Sequence, residues 1–167
     1  MLTKHLMTVI SRELRALARE LQAYPDDASV WRTFPGVVNS AGTLALHLAG
    51  NIQHYVGAKL GGTGYQRDRP AEFARRDVPR GDLLKEIERA IAAAETTLPQ
   101  VSETALAADF PEAVGGRTIR TDEFLVHVAM HLGWHLGQVD YHRRMVTGEA
   151  GKIGAVAVTE LATARTG

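Results

Sequence analysis

The sequence predicts an all-α domain, a four-helix bundle with long crossover connections. Three observations predict it. Four stretches carry apolar residues three or four positions apart, glycine- and proline-punctuated segments separate them, and the alternating pattern of strands is almost absent.

The first helix is expected over about Leu2 to Tyr24, where Leu6, Ile10, Leu14, Leu17 and Leu21 mark one face and Pro25-Asp26-Asp27 stops it. A connection with Trp31, Phe34, Pro35 and Gly36 follows, and its aromatic residues predict packing on the bundle. The second helix is expected from an N-cap at Ser40 to Leu60, with Leu44, Leu48, Ile52, Tyr55 and Val56 as its apolar face and Gly61-Gly62 as its end. Residues 61–80 read as a polar loop rich in arginine: Arg67, Arg69, Arg75, Arg76 and Arg80. These form either a solvated surface or an anion-binding rim over a pocket.

The third helix is expected over Asp82 to Leu98, with Leu83, Ile87, Ala90 and Ala94 buried and Pro99 just beyond. Residues 99–120 make a second crossover, with a short extended piece at Arg117-Thr118-Ile119. The fourth helix is expected to start at Thr121 as N-cap, to hold Asp122 and Glu123 in its first turn where the helix dipole favours anions, and to end at Gly148. One domain is thus expected over residues 1–148. A tail, 149–167, offers Ile153, Val156, Val158 and Leu161 to cover the bundle or a partner subunit.

Composition narrows the function. The chain has 167 residues, enough for one core, and is 45% hydrophobic and 23% charged, which opposes disorder. Nineteen basic residues balance nineteen acidic ones and no basic stripe appears, so nucleic acid is a poor partner. No apolar run is long enough for a bilayer and none resembles a signal peptide. With no cysteine, disulfides and thiolate metal sites are excluded, and a cytoplasmic location is expected.

Histidine is the residue to explain. Seven occur, four of them at 127, 131, 135 and 142. On a helix of 100° per residue His131 and His135 fall within about 20° of Phe124, on a face that also carries Val128. Residues four apart have Cβ atoms roughly 5–6 Å from each other, so two imidazoles there can converge on one metal ion. Two buried imidazoles without partners would each cost about 1–3 kcal/mol, a penalty that an ion removes. A third ligand must come from another helix. Among His5, His47 and His54, His47 is the candidate, because it lies beside the stripe of Leu44, Leu48 and Asn51, whereas His54 sits at the stripe's edge and His5 near a frayed end. The zinc-protease H-E-x-x-H pattern and the E-x-x-H pairs of di-iron bundles are both absent.

His47-Leu48-Ala49-Gly50-Asn51 on the second helix and the run His127 to Gln138, with His131, His135 and Gly137-Gln138, together resemble the DinB-like superfamily of metal-binding four-helix bundles. The resemblance covers about residues 1–148. It implies a divalent ion, commonly zinc or nickel, held by His47, His131 and His135 with water completing the shell. It also implies chemistry of the kind run by S-transferases and isomerases that use low-molecular-weight thiols such as bacillithiol or mycothiol, acting on a small-molecule substrate. Pairing into a homodimer is implied as well, with Trp134 and Met130 as packing or dimer contacts.

His127 is expected behind or beside the ligands, and Asn51, Tyr55 and Gln138 around the pocket. A three-imidazole site with open positions suits catalysis, by activating water for hydrolysis or presenting a thiol. No separate general base is evident. The rival expectations are a non-enzymatic stress-response or binding module whose ion only ties helices together, and a metal-free bundle in which the histidines merely pack.

Overall fold

The computed structural model describes residues 2–151, 153 and 156–166. Residues 1, 152, 154, 155 and 167, four of them within the predicted tail, lie outside the described residues. The described residues form helices joined by irregular segments, with three isolated β-bridges and no strand.

The periodic stretches become the bundle. The long helices are α1 (Leu2–Gln22), α3 (Ala41–Ile52), α5 (Arg80–Thr97) and α7 (Thr121–Thr147). Three short helices lie between them: α2 (Asp27–Val30), α4 (Arg69–Ala74) and α6 (Glu103–Ala107). α1 packs against α5 and α7, and α3 packs against the same two. The long helices therefore stand as a square with α1 diagonal to α3. Leu6, Ile10, Leu14, Leu17 and Leu21 of α1 are all buried, as their spacing predicted.

α3 is buried at every position from Ala41 to Ile52. A helix apolar all round belongs at the centre of a structure, so the few polar side chains it carries, His47 and Asn51 among them, are necessarily inside. Beyond Ile52 the same helix continues in π form over Gln53–Leu60. Such widened turns recur at functional sites, and this one carries Tyr55.

Two expectations need correction. The loop over residues 61–80 contains α4, started by Asp68, whose carboxylate accepts from the Ala71 amide at 3.0 Å, and by Pro70 in the first turn. Both are helix-start signals. The N-cap of α7 is Arg120, and Thr121 is the first helical residue. The expected extended piece at Arg117-Thr118-Ile119 runs antiparallel to residues 109–114 after a reversal at Gly115 and Gly116, whose φ are +58° and +73°; Val114 bridges Arg117, and Asp109 bridges Arg120.

The segment after Gly148 lies on the bundle through its backbone. Arg19 Nε donates to the Ile153 carbonyl at 3.0 Å, and Arg143 Nη2 donates to that of Gly151 at 2.7 Å. Arg143 is itself buried, and its Nε donates to Glu20 at 2.6 Å, which joins α7 to α1 inside the core.

His142, on the same face of α7 as the metal-candidate pair, is a packed core histidine. Its Nε2 lies 2.7 Å from the Arg32 carbonyl, which can only accept, so the proton is on Nε2. Nδ1 then accepts from the Tyr24 hydroxyl at 2.7 Å. Burial lowers the pKa of His142 against the pull of the Arg32 carbonyl.

The neutral ring is thus favoured in the folded state. As pH falls below about 6.5, the unfolded chain takes up a proton that the folded chain refuses, and stability declines. His142→Phe should remove that share of the acid sensitivity. It should also lower stability at pH 8 by about 1–3 kcal/mol, because the Tyr24 hydroxyl and Arg32 carbonyl lose their partner. Denaturant unfolding of both proteins at pH 8 and pH 5 checks this, and an equal loss of stability in the two on acidification would contradict it.

Candidate metal centre

α3 and α7 bring three imidazoles together. His47 is 5% exposed, and its Nε2 lies 3.3 Å from Nε2 of His131. The His135 ring centroid is 5.4 Å from that of His47 and 4.6 Å from that of His131. One nitrogen from each of the three falls within 4.8 Å of the others.

The protonation pattern of these rings follows from their other partners. His47 Nδ1 donates to Glu72 Oε2 at 3.0 Å, which leaves its Nε2 with a lone pair. His135 Nδ1 donates to Gln138 Oε1 at 2.7 Å, which leaves Nε2 bare in the same way. Burial, with His135 and His47 nearby, holds the His131 pKa down at about 4, so this ring is neutral near pH 7. Burial also lowers the pKa of His135.

These residues fit a divalent ion. Two imidazole nitrogens about 2.0–2.1 Å from one tetrahedral ion stand roughly 3.3 Å apart, which is the observed separation of the two Nε2 atoms. A plain hydrogen bond between them would also sit at this distance. It would engage two rings only, and the third would still aim a bare nitrogen at them.

Behind His47 lies a buried anion that the sequence reading missed. Glu72 of α4 is 6% exposed and takes two hydrogen bonds from Arg67, Nε to Oε1 at 2.6 Å and Nη2 to Oε2 at 2.8 Å. Burial opposes ionisation of Glu72, but the hydrogen bonds from Arg67 and His47 outweigh it and its pKa is lowered. A carboxylate behind a ligating imidazole fixes its tautomer and raises its basicity. Gly50 makes room for this carboxylate: a Cβ there would stand 2.2 Å from Glu72 Oε1.

The arginine segment therefore divides. Arg67 is not solvated: it is committed to Glu72, its guanidinium lies over the Tyr55 ring at 5.5 Å, and it lines the cleft beside the imidazoles together with Arg69. Arg80 turns away to donate to the Tyr24 carbonyl, and Arg76 donates to the Phe73 carbonyl.

A cleft of about 160 Å³ adjoins the imidazoles. His47, Asn51, Tyr55, Arg69, His127 and His131 are among its lining residues. Gln138 is not; it lies against His135 instead. His127 is exposed, with its ring 6.2 Å from that of His131. His54 is elsewhere, 3.2 Å from both oxygens of Glu112, and His5 is exposed on α1.

A signal for Glu72 was present in the sequence, in the Asp68-Arg69-Pro70 helix start that puts it on a helix. The distance from residue 72 to His47 in the fold had no such signal.

No curated protein matches this chain. A family model of the DinB superfamily matches residues 10–139, a span that takes in α1 from Ile10 onward, all of α3 and α5, all three imidazoles and the glycine that admits Glu72. The chain belongs to the DinB superfamily.

Proposed function

We propose that this chain binds a divalent metal ion through His47, His131 and His135 and uses it on a small-molecule substrate, in transfer to or from a low-molecular-weight thiol or in hydrolysis. The observation that carries the proposal is the convergence of three imidazoles, from two helices, beside a cleft. A closed structural site would have four protein ligands, whereas no fourth side chain joins this set among the described residues. When bound, the ion would act as a Lewis acid that lowers the pKa of water or a thiol. Zinc and nickel both suit an all-imidazole set.

The chain's own groups then have distinct tasks. Glu72, held by Arg67, keeps the His47 proton on Nδ1. Gln138 does the same for His135. Arg69 and His127 line the cleft, which supports a substrate carrying an anionic group. A space of about 160 Å³ is below the roughly 300–1,000 Å³ that encloses a drug-sized ligand. The reacting end of the substrate would enter while the remainder stays at the surface.

The test has two stages. Purified protein loaded with zinc or nickel should hold one ion per chain by elemental analysis, and His131→Ala should lose it. The loaded protein is then assayed with an electrophile plus a bacterial thiol, and with simple esters. Turnover that disappears in His131→Ala supports the proposal. Tight metal binding with no turnover would favour an ion that only ties α3 to α7.

Glu72→Gln keeps the shape but removes the charge behind His47, and should weaken metal affinity about 10–100-fold. Gly50→Ala should act in the same direction by forcing Glu72 aside. Titration against a competing chelator checks both, and unchanged affinity in Glu72→Gln would remove the carboxylate from the account.

A further inference from the structure

A recess of about 390 Å³ opens where the π turns after α3 end beside the C-terminus of α5. Leu60, Gly61 and Thr63 form one wall, and Thr97, Val101 and Ser102 form the other. The recess shares no lining residue with the cleft beside the three imidazoles. None of its lining residues ionises, whereas that cleft carries arginine and histidine. Its volume falls within the roughly 300–1,000 Å³ of ligand pockets.

Thr97 separates this recess from an ordinary surface dent. The residue is 6% exposed, and its hydroxyl makes no hydrogen bond to any described residue. A threonine within a helix can donate to the carbonyl four residues back, as Thr96 does to Ala92 at 2.7 Å and Thr147 does to Arg143 at 3.0 Å. Oγ1 of Thr97 lies instead against Gly61. A Cβ added at Gly61 would stand 2.2 Å from that oxygen and 2.8 Å from the Gly57 carbonyl oxygen. Gly61 has a φ of −100°, which any residue adopts, so what its missing side chain supplies is space. A nearly buried polar atom is thus left without a protein partner, between the apolar side chains of Leu60 and Val101.

We infer that this recess binds a small uncharged molecule, with an apolar body and one hydroxyl or carbonyl group that pairs with the Thr97 hydroxyl. A hydroxyl both donates and accepts, so either group suits it. Leu60 and Val101 supply the apolar contact. The polar group of the ligand takes the place of water at Thr97 and keeps its hydrogen bond. An ion would lose hydration there and meet no opposite charge in return. The hydroxyl of Thr63 and the amide of Gln100 stand at the same recess and offer the ligand further polar partners. The inference depends neither on the metal nor on the proposed reaction.

The test is an NMR titration of the isotope-labelled full chain with benzyl alcohol and, separately, with benzoate, which has the same ring and a charge. Benzyl alcohol should give saturable amide shifts centred on Gly61, Thr63, Thr97 and Val101, and benzoate should not. Thr97→Val keeps the shape and removes the hydroxyl. It should weaken benzyl alcohol binding about fivefold, the share of one neutral hydrogen bond. Its thermal midpoint should be no lower than that of the wild type, because the hydroxyl holds no partner in the protein. Ala105→Phe sets a ring into the recess and should abolish the shifts while circular dichroism stays unchanged. No saturable shift at these residues, an equal response to benzoate, shifts that persist in Ala105→Phe, or a Thr97→Val protein that binds as well as the wild type or melts earlier would each overturn the inference.

Discussion

The site depends on a half-buried contact between α3 and α7: Nε2 of His47 facing Nε2 of His131 at 3.3 Å. Two imidazole nitrogens at that distance share either a proton or a cation. Three features of the surroundings bear on the choice. His47 is fixed by a carboxylate, His131 is kept neutral by burial, and His135 closes the set from one turn along. The bundle brings the three together because α3 is apolar on all sides and must be central, which carries its polar residues inward.

Glu72 shows how a short element can control the chemistry of a long one. α4 is only six residues, yet it delivers an ionised side chain into the interior, where an unpaired charge would be strongly unfavourable. Arg67 removes that penalty with two hydrogen bonds, and His47 takes the remaining direction. The cluster Arg67–Glu72–His47 is therefore one unit. Gly50 belongs to it as well, since it leaves the space the carboxylate fills. The glycine of the His47-to-Asn51 motif thus has a physical reason to be there.

Much of this was legible in the sequence, for reasons tied to particular residues. Leucines spaced along α1 and the four-residue step from His131 to His135 report helix and face through periodicity alone, because side-chain direction repeats with the helix. Selecting His47 over His54 rested on face too, and the structure brings His47 to 3.3 Å from His131 and sets His54 beside Glu112. Two things were hidden. The π turn after Ile52 shifts side-chain directions along the second helix with no residue pattern to announce it. The pairing of Glu72 with His47 joins residues 25 apart through a loop whose path no periodicity fixes. His142 carries the opposite lesson, since it shares the angular position of the metal-candidate pair and yet is fully satisfied by Tyr24 and the Arg32 carbonyl.

The central claim is that one ion is shared by three imidazoles of two helices. Anomalous diffraction from crystals of zinc- or nickel-loaded protein, recorded on both sides of the metal's absorption edge, tests it most directly. The account predicts a single peak per chain about 2.0–2.1 Å from one nitrogen of each of His47, His131 and His135. A peak bound elsewhere, or a fully loaded crystal in which His47 stands outside the coordination shell, would contradict it.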